Sequence, residues 1–250
     1  MRKVVILTVT VMLAFGVAWA GDFSETFDQT YALDPGGRIA LENINGDVTI
    51  EVWDRSEVRV FATKSASSPE RLAALRIEVD ATGDAVEVNT RYPSSRDLPE
   101  IDRHGHSEVV YTLTVPRFAS IDDVDLVNGD LSIDGVEGAI DAETVNGDVT
   151  VRGAVGDIDL ETVNGAIEIG LPAVGSDDVS LSSVNGTVEV RVAGSADIRA
   201  ETVNGRISND LGLEVRRGKY VGSHMRGEIG GGGRRIEIET VNGAIRVGAM

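Results

Sequence analysis

The chain has 250 residues, no cysteine and a formal net charge of −18. The missing cysteine excludes disulfides and cysteine metal ligands, and the acidic balance argues against a general affinity for nucleic acid or anionic membranes. The sequence also contains no Gly-x-Ser-x-Gly elbow and no phosphate-binding glycine loop, so the common catalytic motifs are missing.

Residues 1–20 have the pattern of a secretory signal peptide. Arg2 and Lys3 precede an apolar run over residues 4–17, and Ala18-Trp19-Ala20 forms an A-x-A cleavage site. The apolar run is shorter than the roughly 20 residues that span a bilayer, which disfavours an uncleaved anchor. We therefore expect an exported mature chain that starts near Gly21, has no transmembrane span, and resides in the periplasm or at the cell surface.

Residues 21–120 are predicted to form a β-rich N-terminal region. Ser68 before Pro69 has the pattern of the N-cap and first turn of a short helix, and Thr82-Gly83-Asp84 is a plausible hairpin turn. A polar loop is expected at 93–107. The alternating segments that predict strands are 39–52, which contains one early repeat copy, and 57–63, 75–80, 85–90 and 108–115.

Residues 121–250 are dominated by a repeat. The dipeptide Asn-Gly occurs seven times in the chain, and between Asn128 and Asn204 the successive steps are 18, 18, 21 and 19 residues. In most copies, apolar residues stand six and four positions before the asparagine and three and five after it, with polar residues between them. Such alternation predicts two short strands per repeat. A degraded copy is expected at 225–229, within the final gap of 38 residues.

Two architectures fit this pattern. Asn-Gly is also typical of a type I′ hairpin turn, which would give a meander, whereas a solenoid would stack the copies in parallel. The nearly constant period favours the solenoid, because stacking requires coils of equal length. The sequence therefore predicts an all-β fold: a parallel β-solenoid of about seven coils with 18–21-residue repeats, on the order of 30 Å long at about 4.8 Å per coil.

Four copies of Glu-Thr-Val-Asn-Gly, at 143–147, 161–165, 201–205 and 239–243, stand after the segments 91–93 and 111–116. In these motifs the chain resembles the DUF4097 family of proposed adhesins, over roughly residues 23–250. The resemblance implies a β-helix-like solenoid on an exported bacterial envelope protein, and it implies no catalytic residues.

The asparagines and glycines of the repeat are interpreted as a structural turn ladder, in which stacked asparagines hydrogen-bond to one another and glycine permits positive φ. Its members are Asn128, Gly129, Asn146, Gly147, Asn164, Gly165, Asn185, Gly186, Asn204, Gly205, Asn242 and Gly243.

A second ladder, of acidic residues, lies three positions before the asparagines and is expected to face solvent. It comprises Glu42, Asp125, Glu143, Glu161, Glu201 and Glu239, with Ser182 in one copy. Calcium could relieve the repulsion between such carboxylates, but a solvated acidic face is the favoured interpretation and no cofactor is expected.

Two further clusters are candidate sites. Asp102, His104, His106 and Glu108 would point to one side of an extended segment and could ligate a metal, although they lie in or beside a polar loop. A second cluster surrounds the degraded copy and could bind an anion. Its members are Arg216, Arg217, Lys219, Arg226, Arg234 and Arg235.

These features favour a noncatalytic envelope scaffold or adhesin-like protein that binds an envelope glycan, an envelope protein or itself. The alternative is a carbohydrate-active enzyme that uses carboxylates of the acidic face. Because the final Asn-Gly copy ends three residues before the chain does, we also expect an open solenoid end there and end-to-end self-association.

Overall fold

The computed structural model describes residues 23–94, 96, 98–100, 104–175, 177–218 and 221–250. The predicted signal peptide lies outside these residues, as do Asp102 and Lys219. None of the described segments forms an apolar helix of membrane-spanning length.

The described part of the chain is mostly β-strand, as predicted. One short helix, α1, covers Pro69–Ala74. The N-terminal strands are β1 (Phe23–Ala32), β2 (Arg38–Asn45), β3 (Val48–Trp53), β4 (Glu57–Ala66), β5 (Arg76–Ala81), β6 (Ala85–Arg91) and β7 (Ser107–Pro116). The strands of the repeats are β8 (Ser120–Asn128), β9 (Leu131–Asp134), β10 (Ile140–Asn146), β11 (Val149–Arg152), β12 (Ile158–Asn164), β13 (Ile167–Leu171), β14 (Val179–Asn185), β15 (Val188–Val192), β16 (Ala196–Thr202), β17 (Ile207–Asn209), β18 (Val215–Arg217), β19 (Ser223–Ile229), β20 (Arg234–Thr240) and β21 (Ile245–Ala249).

Each repeat contributes one strand to each of two facing sheets, and its Asn-Gly turn carries the chain from one sheet to the other. Sheet A has the strand order β1-β4-β7-β3-β9-β11-β13-β15-β21-β17. Sheet B has the order β18-β19-β16-β20-β14-β12-β10-β8-β2-β6-β5. Equivalent strands of successive repeats pair in parallel, for example β10 with β12 and β11 with β13. The parallel solenoid is therefore confirmed, and the meander is excluded.

The core lies between the sheets and consists of the predicted apolar columns. In β12 and β13 the inward residues Ile158, Leu160, Ile167 and Ile169 are at most 2% exposed. The parallel register places Leu160 beside Leu181 of the next coil. The columns thus continue from coil to coil without a break in the apolar interior.

The N-terminal strands extend the same two sheets. Strands β2 and β6 pair in parallel within sheet B, and β3 and β7 pair in parallel within sheet A. The Oγ of Ser68 accepts a hydrogen bond from the backbone N–H of Arg71, which confirms the predicted N-cap of α1. Strands β5 and β6 form the predicted hairpin. Both sheets continue across residue 120. The division of the chain at this residue, between a β-rich N-terminal region and the repeats, stays a prediction.

The C-terminal repeats do not follow the order of the sequence. Strand β20 lies between β14 and β16, and β21 lies between β15 and β17. The prediction that the last copy forms the open end of the solenoid is therefore wrong, because this copy is inserted inside the stack. The copy that contains β16 and β17 takes the outer position instead.

The degraded copy predicted at 225–229 is also not a coil. It lies in β19, which pairs antiparallel with β16 and, through β18, covers that end of sheet B. Without an Asn-Gly turn, this segment does not cross to sheet A. The glycines at 230–233 all have positive φ, and they let the chain pass around Ser195 and Asp197 into β20.

Candidate binding face

The Asn-Gly turns hold the stack together through a continuous chain of side-chain hydrogen bonds. From Asn128 onward, each asparagine Nδ2 donates to the Oδ1 of the asparagine in a neighbouring coil, at 2.9 Å in every step. The Nδ2 of Asn45, at the start of the chain of bonds, donates to the Ser107 carbonyl at 3.3 Å. The spatial order follows the strands rather than the sequence: Asn45, Asn128, Asn146, Asn164, Asn185, Asn242 and Asn204.

The glycines of these turns are required for a reason that the sequence did not reveal. Of the seven turns, only those of Gly46 and Gly129 have positive φ. At Gly165, an added Cβ would lie 1.9 Å from the carbonyl oxygen of Gly147. The expected explanation from positive φ is therefore wrong for the later copies, where close approach of stacked backbones excludes a side chain.

A buried polar column was missed in the sequence. The residue two positions before the asparagine points inward, and in five copies it is threonine or serine, at most 4% exposed. Thr162 Oγ1 donates to the Gly147 carbonyl at 3.3 Å, and Thr202 Oγ1 donates to the Gly243 carbonyl at 3.1 Å. The repeated Thr-Val-Asn-Gly, in which the alternation places threonine inward, was the available signal.

The outer surface of sheet B carries the predicted acidic ladder and a second column beside it. We call six of the seven carboxylates of β8, β10 and β12 the acidic face: Asp123, Asp125, Asp141, Glu143, Asp159 and Glu161. The strand register places Asp141 beside Asp159 and Glu143 beside both Asp125 and Glu161. All six are exposed, and none of them forms an ion pair with a described residue.

A β-bulge increases the charge density at one end of this face. The β8–β10 register shifts between Ile140 and Ala142, so that β8 has one more residue than β10 there. Asp122 and Asp123 consequently both lie near Asp141. Asp122 is paired with Arg38 at 3.5 Å. The sequence contained a sign of this bulge. Ile121 stands seven positions before its asparagine, whereas the corresponding apolar residue of the following copies stands six positions before.

Three carboxylates of the acidic face, Asp125, Asp141 and Glu143, have a raised pKa because they are partly buried and have acidic neighbours. Partial burial, and then the neighbouring charges of Asp159 and Asp123, raise the pKa of Asp141 above its ordinary value. The pKa of Glu143 is raised by partial burial and then by Glu161 and Asp125. Asp125 shifts in the same direction. The acidic face thus holds repelling charges that a cation would stabilise.

A column of exposed apolar side chains runs beside the acidic face, one position before each asparagine. Val127, Val145 and Val163 are 39%, 40% and 41% exposed. Together with Asp125, Glu143 and Glu161 they line a shallow groove of about 330 Å³. The groove therefore has carboxylates on one side and methyl groups on the other. The same column continues through Val184, Val241 and Val203.

The outer surface of sheet A is different, because its charges are of mixed sign. Arg191 contacts Glu189 at 2.7 Å, and Arg246 contacts the same carboxylate at 3.9 Å. On the other side, Glu168 lies beside Glu189, and the rungs beyond it carry the short polar residues Thr150 and Ser132. Uncompensated acidic columns are thus a property of sheet B and do not follow from the repeat alone.

The structure separates the arginine cluster that the sequence suggested. Arg234 is only 3% exposed and donates to the carbonyls of Val155 and Val174 at 2.9 and 3.1 Å. Arg234 is therefore not part of a cationic surface, and burial lowers the pKa of its guanidinium.

The exposed members of the cluster lie among carboxylates. Arg235 pairs with Asp178 at 2.9 Å, and Arg216 pairs with Glu214 at 3.2 Å. Arg226 lies opposite Arg199 in the β16–β19 register, and Arg217 is exposed at the end of β18. The described arginines thus form no single cationic patch.

The metal candidates are only partly described. His106 and Glu108 are exposed on the same side of the segment that enters β7, and His104 precedes them in the loop. Among the residues that the structure describes, no three histidine, aspartate or glutamate side chains are grouped so that they could hold a metal ion.

Comparison with known proteins connects this architecture to a family. The family model described as Toastrack DUF4097 matches residues 29–248. The chain is similar to a solved structure of a proposed cell adhesion protein from Clostridium sporogenes, with 14% identity, a TM-score of 0.48, and coverage of 90% of this chain and 100% of that chain. It is also similar to a proposed adhesin from Bacteroides fragilis, with 13% identity, a TM-score of 0.37, and coverage of 90% and 97%. A search of curated proteins gave no significant match.

Proposed function

The chain belongs to the DUF4097 family, and on that premise we propose that it is a noncatalytic, adhesin-like protein of the cell envelope that binds a basic protein segment on its acidic face. The observation that carries this proposal is the unpaired state of the six carboxylates on neighbouring strands of sheet B. Placing like charges opposite one another is unfavourable. A cationic partner would convert this repulsion into attraction.

The groove beside the acidic face favours basic side chains over sugars. Lysine and arginine have aliphatic stems and charged heads, so a stem fits against Val145 and Val163 while its head reaches Glu143 or Glu161. Glycan recognition commonly uses exposed aromatic rings, and strands β8, β10 and β12 contribute none to this face.

The environments of the carboxylates support a noncatalytic role. Glycoside hydrolysis uses two carboxyl groups whose surroundings push their pKa values apart. Here the pKa values of Asp125, Asp141 and Glu143 all shift upward, and burial is the first cause in each case. The repeated carboxylates therefore resemble a surface for polyvalent attraction more than a pair with divided roles.

The proposal is tested by titrating the purified mature chain with an oligolysine peptide, with a glycine-serine peptide of equal length as the control. We expect binding of oligolysine alone. Binding should weaken as salt rises from about 0.01 M to 0.1 M, because the Debye length falls from about 30 Å to about 10 Å. A failure to bind oligolysine, or tighter binding of a neutral oligosaccharide, would contradict the proposal.

Catalysis is tested separately by incubating the same protein with envelope polysaccharides. We expect no product. Product formation that survives purification and is lost in Glu143→Gln or Glu161→Gln would instead establish the carbohydrate-active alternative.

A further inference from the structure

The two sheets end in four edge strands, and three of these are protected against pairing with another chain. Strands β17 and β18 have only three residues each. Strand β5 has six residues, three of which are charged. Glu78 pairs with Arg91 of β6 at 3.0 Å, whereas Arg76 and Asp80 form no ion pair with a described residue. Short length and charge are the usual means by which proteins prevent edge-to-edge association.

Strand β1 is the exception. It has ten residues, Phe23–Ala32, without proline, lysine or arginine. Its pairing with β4 is continuous over all ten residues and contains no bulge. Its two acidic residues are neutralised by β4, since Asp28 pairs with Arg59 at 2.7 Å and Glu25 pairs with Lys64 at 2.9 Å. This long, regular edge therefore has no proline, no bulge and no unpaired charge that would prevent pairing with another strand.

Three aromatic residues lie on one side of β1. Phe23, Phe27 and Tyr31 alternate there with Glu25 and Gln29, and they lie opposite Ala66, Ala62 and Val58 of β4. Phe27 and Tyr31 are partly buried against the core, and Phe23 is 40% exposed. A strand added beside β1 would cover this side and pair the outward backbone groups.

We propose that the strand added there is β1 of a second copy, paired antiparallel about a twofold axis at Phe27. In this register Phe27 meets Phe27 of the second copy, and Phe23 meets Tyr31 of the second copy. Aromatic cross-strand pairs stabilise antiparallel sheets, and a twofold axis gives a closed, self-complementary dimer. This dimer is independent of the proposed binding of a basic segment.

Charge and side-chain orientation select this register. It places Glu25 opposite Gln29 and Thr26 opposite Asp28, so no like charges face each other. If the register of pairing shifted by one residue, the side of β1 that carries the aromatic residues in one copy would lie next to the side without them in the other copy. A shift by two residues toward the C-terminal end of β1 would place Asp28 opposite Asp28.

The register is tested by cross-linking, because the chain contains no cysteine. In the proposed dimer Ser24 lies opposite Thr30 of the second copy, so a variant with both Ser24→Cys and Thr30→Cys should form a covalent dimer on oxidation. Either substitution alone should not, since two copies of one position would lie roughly 20 Å apart along the strands, beyond the Cα separation of about 7 Å that a disulfide tolerates. A monomeric mass for the unmodified chain at all concentrations, or equal cross-linking of single and double variants, would overturn the proposal.

Charge variants at Thr26 provide a second test by analytical ultracentrifugation. Thr26→Asp should weaken the dimer by roughly 2- to 30-fold, because the new carboxylate of each copy would lie opposite Asp28 of the other copy and two pairs of like charges would result. Thr26→Lys should not weaken the dimer. Thr150→Asp, on a central strand of sheet A, is the matched control and should leave the dimer unchanged. Equal weakening by both Thr26 variants, or none by either, would exclude β1 as the interface in this register.

Discussion

The outer faces of sheets A and B arise from one repeat, yet they differ in how their charges are balanced. On sheet A, Glu189 is paired with Arg191 and Arg246. On sheet B, partial burial and then the charges of acidic neighbours raise the pKa values of Asp141 and Glu143. In the repeats, the inward columns of sheet A are apolar, and sheet B adds one buried column of threonine and serine. The inward residues therefore determine the fold, while the outward positions are free to carry a function.

The first prediction separates the shared core from the acidic face at two adjacent residues. Leu160 is buried and Asp159 is exposed. Leu160→Ala should lower the free energy of unfolding by about 2–5 kcal/mol, because it leaves a cavity between stacked coils. Asp159→Ala should have a much smaller effect in the same chemical denaturation experiment. Equal losses would show that the outer face of sheet B is needed for folding.

The second prediction concerns the turns that join the two faces. Gly165→Ala should destabilise the protein by about 1–3 kcal/mol, because its Cβ would collide with the backbone of the coil below. Gly170→Ala is the control, since the only atom that a Cβ there would meet is the terminal methyl group of the flexible Met250 side chain. Thermal unfolding of both variants checks this, and a similar Tm for the two would contradict backbone stacking as the reason for glycine.

The third prediction compares one carboxylate from each face. Asp141→Asn should raise the free energy of unfolding by a few tenths of a kcal/mol, because it relieves repulsion on sheet B. Glu189→Gln should lower it by a similar amount, because it breaks ion pairs on sheet A. Changes of opposite sign in the free energy of unfolding, measured by denaturation of both variants, would support the difference in charge balance between the two faces. Changes of the same sign would contradict it.

The fourth prediction has the smallest expected effect and concerns how the stabilisation by Asp141→Asn depends on pH. Because the folded pKa of Asp141 is raised, the folded state binds its proton more readily than the unfolded state does. The cost of its charge is therefore present at neutral pH, and it disappears as the pH falls through the raised pKa toward the ordinary value of 3.8. The advantage of Asp141→Asn should shrink over this range. An advantage that grows on acidification would contradict the assigned repulsion.

Most of the fold could be predicted because the repeat constrains it strongly. Ile158 and Leu160 belong to columns that alternate with polar residues, and equal spacing implies parallel stacking. The spatial order of the last copies could not be predicted, since β14 can pair with any strand that has the same column pattern. In the structure the glycines at 230–233 lead the chain into β20, which lies beside β14 and separates it from β16.

The candidate site was predicted in part. The acidic ladder through Glu143 and Glu161 was visible as a column, but the pairing state of its charges was not, because ion pairs depend on neighbouring strands. The same limitation explains the arginine cluster, in which Arg234 and Arg235 are adjacent in sequence but point to opposite sides of β20. Strand alternation could have separated these two residues in advance.

Calorimetric titration of oligolysine into two matched variants tests the central claim most directly. One variant carries Glu143→Gln and Glu161→Gln on sheet B, and the other carries Glu168→Gln and Glu189→Gln on sheet A, so both lose two charges. If the acidic face is the binding surface, only the sheet B variant should lose affinity, by roughly tenfold or more for two charge-assisted contacts. Equal weakening in both variants would show that net charge, and not the acidic face, attracts the cation, and would contradict the account.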